Sequence, residues 1–192
     1  MKKFSIYFTL GLLVMSTIAF VKFESKTTKP DNTKTYFKML VESKSYTLQI
    51  AEAMPANKYS FKPTDSVRSF GEQMAHIATS SIFLIDLFVK GKPMPSQEDF
   101  ATAATKELEV STSKEACIQA LKESYDLIIN TYKNMSDDEL NEFFIVPFDP
   151  EQPAFTKDKA FQFVNEHTAH HRGQALVSLR MQGIKAPNYK LY

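Results

Sequence analysis

Apolar residues recur every three or four positions through several segments of this chain, and polar stretches broken by proline or glycine separate them. Phe37, Leu40, Val41, Leu48 and Ala51 keep that spacing and predict a helix over about 33–54, stopped by Pro55. Phe70, Met74, Ile77, Leu84 and Phe88 predict a second helix, which opens at a capping box, Ser69 to Glu72, and closes at Gly91. The stretch from Lys92 to Thr112, with Pro93 and Pro95, reads as a long connection. Thr112 to Glu115 has the form of another capping box and opens a third helix reaching about Met135. Ser136 to Glu139 starts a short helix toward Phe144, and Pro147, Pro150 and Pro153 mark an irregular crossover. A last long helix runs from near Thr156 to Gly183, with Pro187 beyond it. No segment shows the period-two alternation of a strand. The predicted fold class is all-α, an antiparallel four-helix bundle with two longer crossovers.

The last helix breaks its own pattern. At about 100° per residue, Ala160, Phe163, Val164, His167, His171, Gln174, Ser178 and Met181 share one stripe, apolar toward both ends and polar in the middle. Burying imidazoles at the centre of a core-facing stripe is costly unless they have partners, so the pattern predicts a site inside the bundle. Three of the four histidines lie between 167 and 171, and the fourth, His76, sits on the second helix beside its apolar line, with Gln73 and Ser80 on its side. His167 and His171, spaced i and i+4, can share an ion, and His76 from a facing helix would complete three neutral nitrogen ligands with an open position. That arrangement is a recurring one for catalytic zinc. His167 with His170, at i and i+3, is an alternative pair, and hydrogen-bonded core histidines are the plain reading. Thr168 stands where the H-E-x-x-H zinc-protease pattern requires Glu, so the motif supplies no general base.

Several neighbours have alternative roles. Gln174 lies nearly in line with the candidate ligands and fits a pocket-lining or ligand-supporting role, and Arg172 points away toward a carboxylate on a neighbouring segment. Glu72 either orients His76 or caps its helix, with capping favoured. Tyr59, Phe61 and Phe83 fit a pocket wall or ordinary core equally well.

Composition narrows the function class. The 192 residues suit one domain with a short appendage, and 43% apolar residues are ample for a core. A net charge of +1 with no basic tract argues against nucleic-acid binding. The single cysteine, Cys117, excludes an internal disulfide and reads as a buried, inert thiol. Met1-Lys2-Lys3 followed by an uncharged run from Phe4 to Val21 reads as a signal peptide or N-terminal membrane anchor over 1–23. A polar linker at 24–32 leads to the bundle at 33–192. The folded part is therefore expected outside the cytoplasm, periplasmic or secreted, with membrane attachment through the N-terminal segment if that segment is retained.

Several motifs, in order, resemble the DinB family of DinB/YfiT-like metalloenzymes across nearly all of 33–192. They are Met54-Pro55, Tyr59-Ser60-Phe61-Lys62-Pro63, the run from Val67 to Ile77 ending in Met74-Ala75-His76-Ile77, His171-Arg172-Gly173-Gln174, and Gly183 to Tyr189. The resemblance implies a four-helix bundle whose metal is held by one histidine on the second helix and two on the fourth, here His76, His167 and His171. The ion is expected to be divalent, zinc first because it tolerates three nitrogen ligands with an open position, with nickel, manganese and iron as alternatives. A metal-dependent transferase or hydrolase acting on a small molecule, and a homodimer, are further implications; a non-catalytic metal-binding module is the alternative. Thiol-transferase relatives use cytoplasmic thiols, which fits poorly with an export segment on this chain.

Overall fold

The computed structural model describes residues 32–149, 151 and 154–190. The expected signal or anchor and nearly all of the linker lie outside the described residues. Among the described residues, no helix is long and apolar enough to cross a membrane.

Among the described residues, six α-helices and one small hairpin follow in order. They are α1 (Asn32–Ala53), α2 (Phe70–Phe88), α3 (Gln97–Ser111), α4 (Lys114–Lys133), α5 (Asp137–Leu140), β1 (Phe143–Ile145), β2 (Ala154–Thr156) and α6 (Lys157–Met181). Helices α1, α2, α4 and α6 form the bundle. Contacts between Tyr36 and Tyr132, and between Lys44 and Asp126, run α1 antiparallel to α4. Gln73 with Gln174 and Phe88 with Phe163 do the same for α2 and α6. The chain returns between α2 and α4 through α3, which packs along α2 with Phe100 against Phe83 and Glu107 against His76.

Three sequence expectations need correction. The connection after Lys92 contains α3, a full helix started by a reciprocal cap between Ser96 and Asp99. Only Ser111 of α3 is buried: its apolar residues are few and small apart from Phe100, Leu108 and Val110, and the helix packs on the outside of α2. The next cap is shifted by one residue: Thr112 closes α3, and Ser113 opens α4 by accepting from the Ala116 N–H at 3.2 Å. The proline-rich crossover contains a two-stranded antiparallel sheet, with Phe144 opposite Phe155. Phe143 and Ile145 point outward, so only Phe144 packs inward, stacked on Phe88.

The core divides in two. One cluster holds Tyr46, Ile50, Met54, Tyr59, Phe70, Met74, Cys117, Leu121 and Leu179; the other holds Leu40, Leu84, Ile85, Phe88, Ile128, Phe161 and Val164. Between them lies a buried polar layer drawn from all four bundle helices: Ser43, Thr47, Ser81, Ser124, Thr168, His171 and Arg172. Buried polar groups persist where they have partners. Here Ser43 and Thr47 bond the Tyr125 hydroxyl at 3.1 and 2.8 Å. Arg172 donates to both hydroxyls and lies over the Tyr46 ring on α1.

Candidate metal centre

The buried seam of α6 is rotated from the predicted stripe. Phe161, Val164, Thr168, Ala175 and Leu179 face the core, whereas Phe163 and Met181 are 42% and 56% exposed. The rotation leaves His171 buried and His167 half-buried at the edge of the core, opposite His76 on α2. One nitrogen from each of these three rings lies within 4.8 Å of the other two. The ring centroids are 4.5 Å apart for His76–His171 and His167–His171, and 5.4 Å for His76–His167.

Outer hydrogen bonds fix which nitrogen faces inward. His76 Nδ1 lies 3.1 Å from Glu107 Oε1 and 3.2 Å from Oε2; a carboxylate only accepts, so Nδ1 carries the proton. The Thr79 hydroxyl also donates to Glu107. His171 Nδ1 donates to Gln73 Oε1 at 2.8 Å, and Gln73 Nε2 donates onward to Gln174 Oε1 at 2.8 Å. Ser80 gives its proton to the His76 carbonyl and stands 3.4 Å from His167 Nδ1, which it can accept from. His76 and His171 therefore have Nδ1–H engaged outside and the Nε2 lone pair free for the centre, and the Ser80 oxygen lets His167 take the same tautomer. Supporting bonds of this kind orient histidine ligands.

The facing atoms point to a cation. His167 Nε2 and His171 Nε2 are 3.2 Å apart. With the His167 proton on Nε2 the contact is a neutral hydrogen bond; with both protons on Nδ1 two lone pairs converge on one point, the state in which they can share a positive centre. Two nitrogens on a tetrahedral zinc at about 2.0–2.1 Å are separated by roughly 3.3 Å. The observed spacing fits that edge.

Electrostatics favour the same state. Burial, followed by the charge that nearby His76 would carry, lowers the His167 pKa to about 4 and that of His171 to about 3. Both rings are therefore neutral near pH 7, as a metal ligand must be. Burial pushes the Glu107 carboxyl up, but hydrogen bonds from His76 and Thr79 outweigh it and hold the group below the ordinary carboxylate range.

The remaining sequence candidates find clear places. His170 is exposed, and its Nε2 accepts from Gln174 Nε2 at 2.8 Å, while Gln174 Oε1 accepts from Gln73. Glu72 is a cap: it accepts from the Ser69 N–H at 2.6 Å and pairs with Lys62. Tyr59 is core, its hydroxyl donating to the Ala51 carbonyl, while Phe83 lies partly buried against Phe100. Cys117 is buried, its thiol donates to the Val110 carbonyl, and burial pushes its pKa up to about 12. Two residues that sequence reasoning missed as ligand partners are Gln73 and Glu107. Gln73 was visible on the His76 side of α2; Glu107 was hidden with its helix.

A helical bundle with three inward-facing imidazoles at mid-height is the class of protein defined here. The model of the DinB superfamily matches residues 39–175, and the chain belongs to that superfamily. Comparison with curated proteins returns no match. Among solved structures, a DinB-like protein from Bacillus cereus is similar at 16% identity and TM-score 0.65, covering 82% of this chain and 97% of that one. YfiT from Bacillus subtilis, described as "a probable metal-dependent hydrolase with an unusual four-helix bundle topology", is 16% identical with TM-score 0.62, covering 83% and 93%. The mycothiol-dependent maleylpyruvate isomerase is 12% identical with TM-score 0.59; the match covers 74% of this chain and 60% of that protein. At these identities the likeness establishes the fold.

Proposed function

We propose that the chain is a metal-dependent hydrolase or transferase that holds a divalent ion, zinc first, on the Nε2 atoms of His76, His167 and His171. The observation that carries the reading is the pair of facing Nε2 atoms, 3.2 Å apart, on rings whose Nδ1 atoms are engaged elsewhere. When bound, such an ion supplies Lewis acidity and a lowered pKa for water or thiol in its open position. The protein's part is positional. Glu107 anchors His76, Gln73 anchors His171, and Ser80 meets His167, so each lone pair is aimed before any ligand arrives.

A catalytic reading is favoured over a purely structural ion by the fate of His170 and Gln174. These side chains are near enough in sequence to close the coordination sphere, yet they bond each other, and Gln174 also bonds Gln73. Glu107 is committed to His76 and Thr79, so it acts as a positioning residue. Thr168 is buried in the polar layer, and no side chain is assigned a proton-transfer role. YfiT's description as a probable metal-dependent hydrolase supports the hydrolytic branch.

The test is to load the protein with zinc and assay activated esters, and thiol addition to electrophilic carbon, with and without chelator. Turnover that chelation removes and zinc restores is expected, along with its loss in His171→Ala. Stoichiometric zinc without turnover in any assay, combined with a metal-dependent melting temperature, would favour the structural alternative.

A further inference from the structure

Beyond the three imidazoles, the next turns of α2, α3 and α6 carry aromatic side chains. Helices α3 and α6 both lie against α2, and Ser80 on α2 meets His167 on α6. Because α2 and α6 run antiparallel, Phe83 (three residues past Ser80) and Phe163 (four residues before His167) lie toward the same end of the bundle. Phe163 is roughly parallel to the His167 ring, with an interplanar angle of 26° and centroids 6.3 Å apart. From the other wall, Phe100 on α3 packs against Phe83 with centroids 5.7 Å apart. Phe163 and Phe100 remain 42% and 43% exposed.

The position of these rings beside convergent nitrogens matches the general make-up of small-molecule sites, in which aromatic walls surround a few fixed polar groups. Phe163, like Met181, departs from the expected buried stripe of α6, and its exposure accompanies the rotation that turns His171 into the core.

We infer that Phe163, Phe83 and Phe100 form an apolar shelf beside the three imidazoles that takes the apolar, ring-bearing part of a small substrate whose reacting group faces the Nε2 atoms. This rests on the metal reading proposed above. It goes further by naming the substrate class, small molecules with an aromatic or bulky apolar group next to the reacting carbon, and Phe163 as the specificity-determining residue.

Two zinc-chelating probes that differ in the apolar group, benzohydroxamate and acetohydroxamate, test it by calorimetric titration into the zinc-loaded full chain. Benzohydroxamate should bind on the order of tenfold more tightly, and Phe163→Ser should remove most of that preference while about one equivalent of zinc is retained. Phe100→Ser, on a different helix, should reduce it as well, which guards against a folding defect in one variant. Equal affinities in the wild type, or a preference that survives both variants, would overturn the shelf and leave the metal site standing. Failure to hold zinc at all would overturn the metal reading and the shelf with it. A change of sedimentation from dimer to monomer in Phe163→Ser would assign the aromatic face to a second copy of the chain and overturn the shelf too.

Discussion

His76 on α2 turns its Nδ1 to the Glu107 carboxylate on α3, 3.1 Å from one oxygen and 3.2 Å from the other. That contact joins an imidazole legible in the sequence to a helix that was not. It also sets the ring's tautomer, leaving Nε2 for the shared centre. Glu107→Ala should therefore weaken zinc binding by about 10–100-fold, and Glu107→Gln, which still offers a carbonyl oxygen to Nδ1, should weaken it less. Competition against a chromophoric chelator measures both; equal affinity in wild type and Glu107→Ala would detach the carboxylate from the site.

The adjacent histidines on α6 should behave differently. His167→Ala and His171→Ala should abolish tight zinc binding, whereas His170→Ala should change it little, because His170 is exposed and bonded to Gln174. Calorimetric titration of the three variants separates them. Equal loss in all three would sink the ligand assignment.

Stability without metal should fall on acidification. His167 and His171 have pKa values lowered to about 4 and about 3 from an ordinary 6.5. As pH drops below 6.5, the unfolded chain takes up protons at these rings while the folded chain does not, so the unfolded state is favoured. The loss accumulates between about pH 6.5 and the lowered values, and the stability these neutral rings contribute is fully present above 6.5. Carboxylates titrate nearby, so the comparison is with the His167→Gln, His171→Gln double variant. Chemical denaturation of metal-free protein from pH 7.5 to 4.5 should show a steeper fall in the wild type than in the double variant, and parallel curves would count against these lowered values.

Gly71 marks the closest approach of α2 to the end of α3. A Cβ there would lie 2.1 Å from the Ser111 carbonyl oxygen, a backbone atom that cannot step aside. Gly71→Ala should cost about 1–3 kcal/mol of stability. Displacing α3 also moves Glu107, one turn before Ser111, so zinc affinity should fall with stability. A thermal melt and a chelator competition on the same sample check both effects.

The parts of the fold that were legible are those whose side chains face the core. The Ser69–Glu72 and Ser136–Glu139 caps both form as read, and the apolar line of α2 is buried throughout: Phe70, Met74 and Ile77 at 0%, Leu84 at 6% and Phe88 at 3% exposure. Helix α3 escaped although Phe100, Ala104 and Leu108 keep helical spacing, because it lies outside the four-helix core and buries only Ser111. Its cap was visible in principle, but Asp99 rather than Glu or Gln holds the reciprocal position, and Pro93 and Pro95 just upstream suggested a loop. The hairpin escaped because three-residue strands with two outward apolar residues carry too short an alternation to recognise. In the candidate site, the histidine spacing predicted the pairing of His167 with His171, since i and i+4 share a helix face. The partner across the bundle followed only with the fold, because no spacing rule connects residue 76 to residue 167.

Elemental analysis of the protein purified without a histidine tag, beside the His76→Ala and His171→Ala variants, tests the central claim most directly. The account predicts about one equivalent of divalent metal in the wild type and none tightly held in either variant. Wild-type protein that carries no metal and does not rebind zinc in a calorimeter would contradict it, reducing the three imidazoles to hydrogen-bonded members of the buried polar layer.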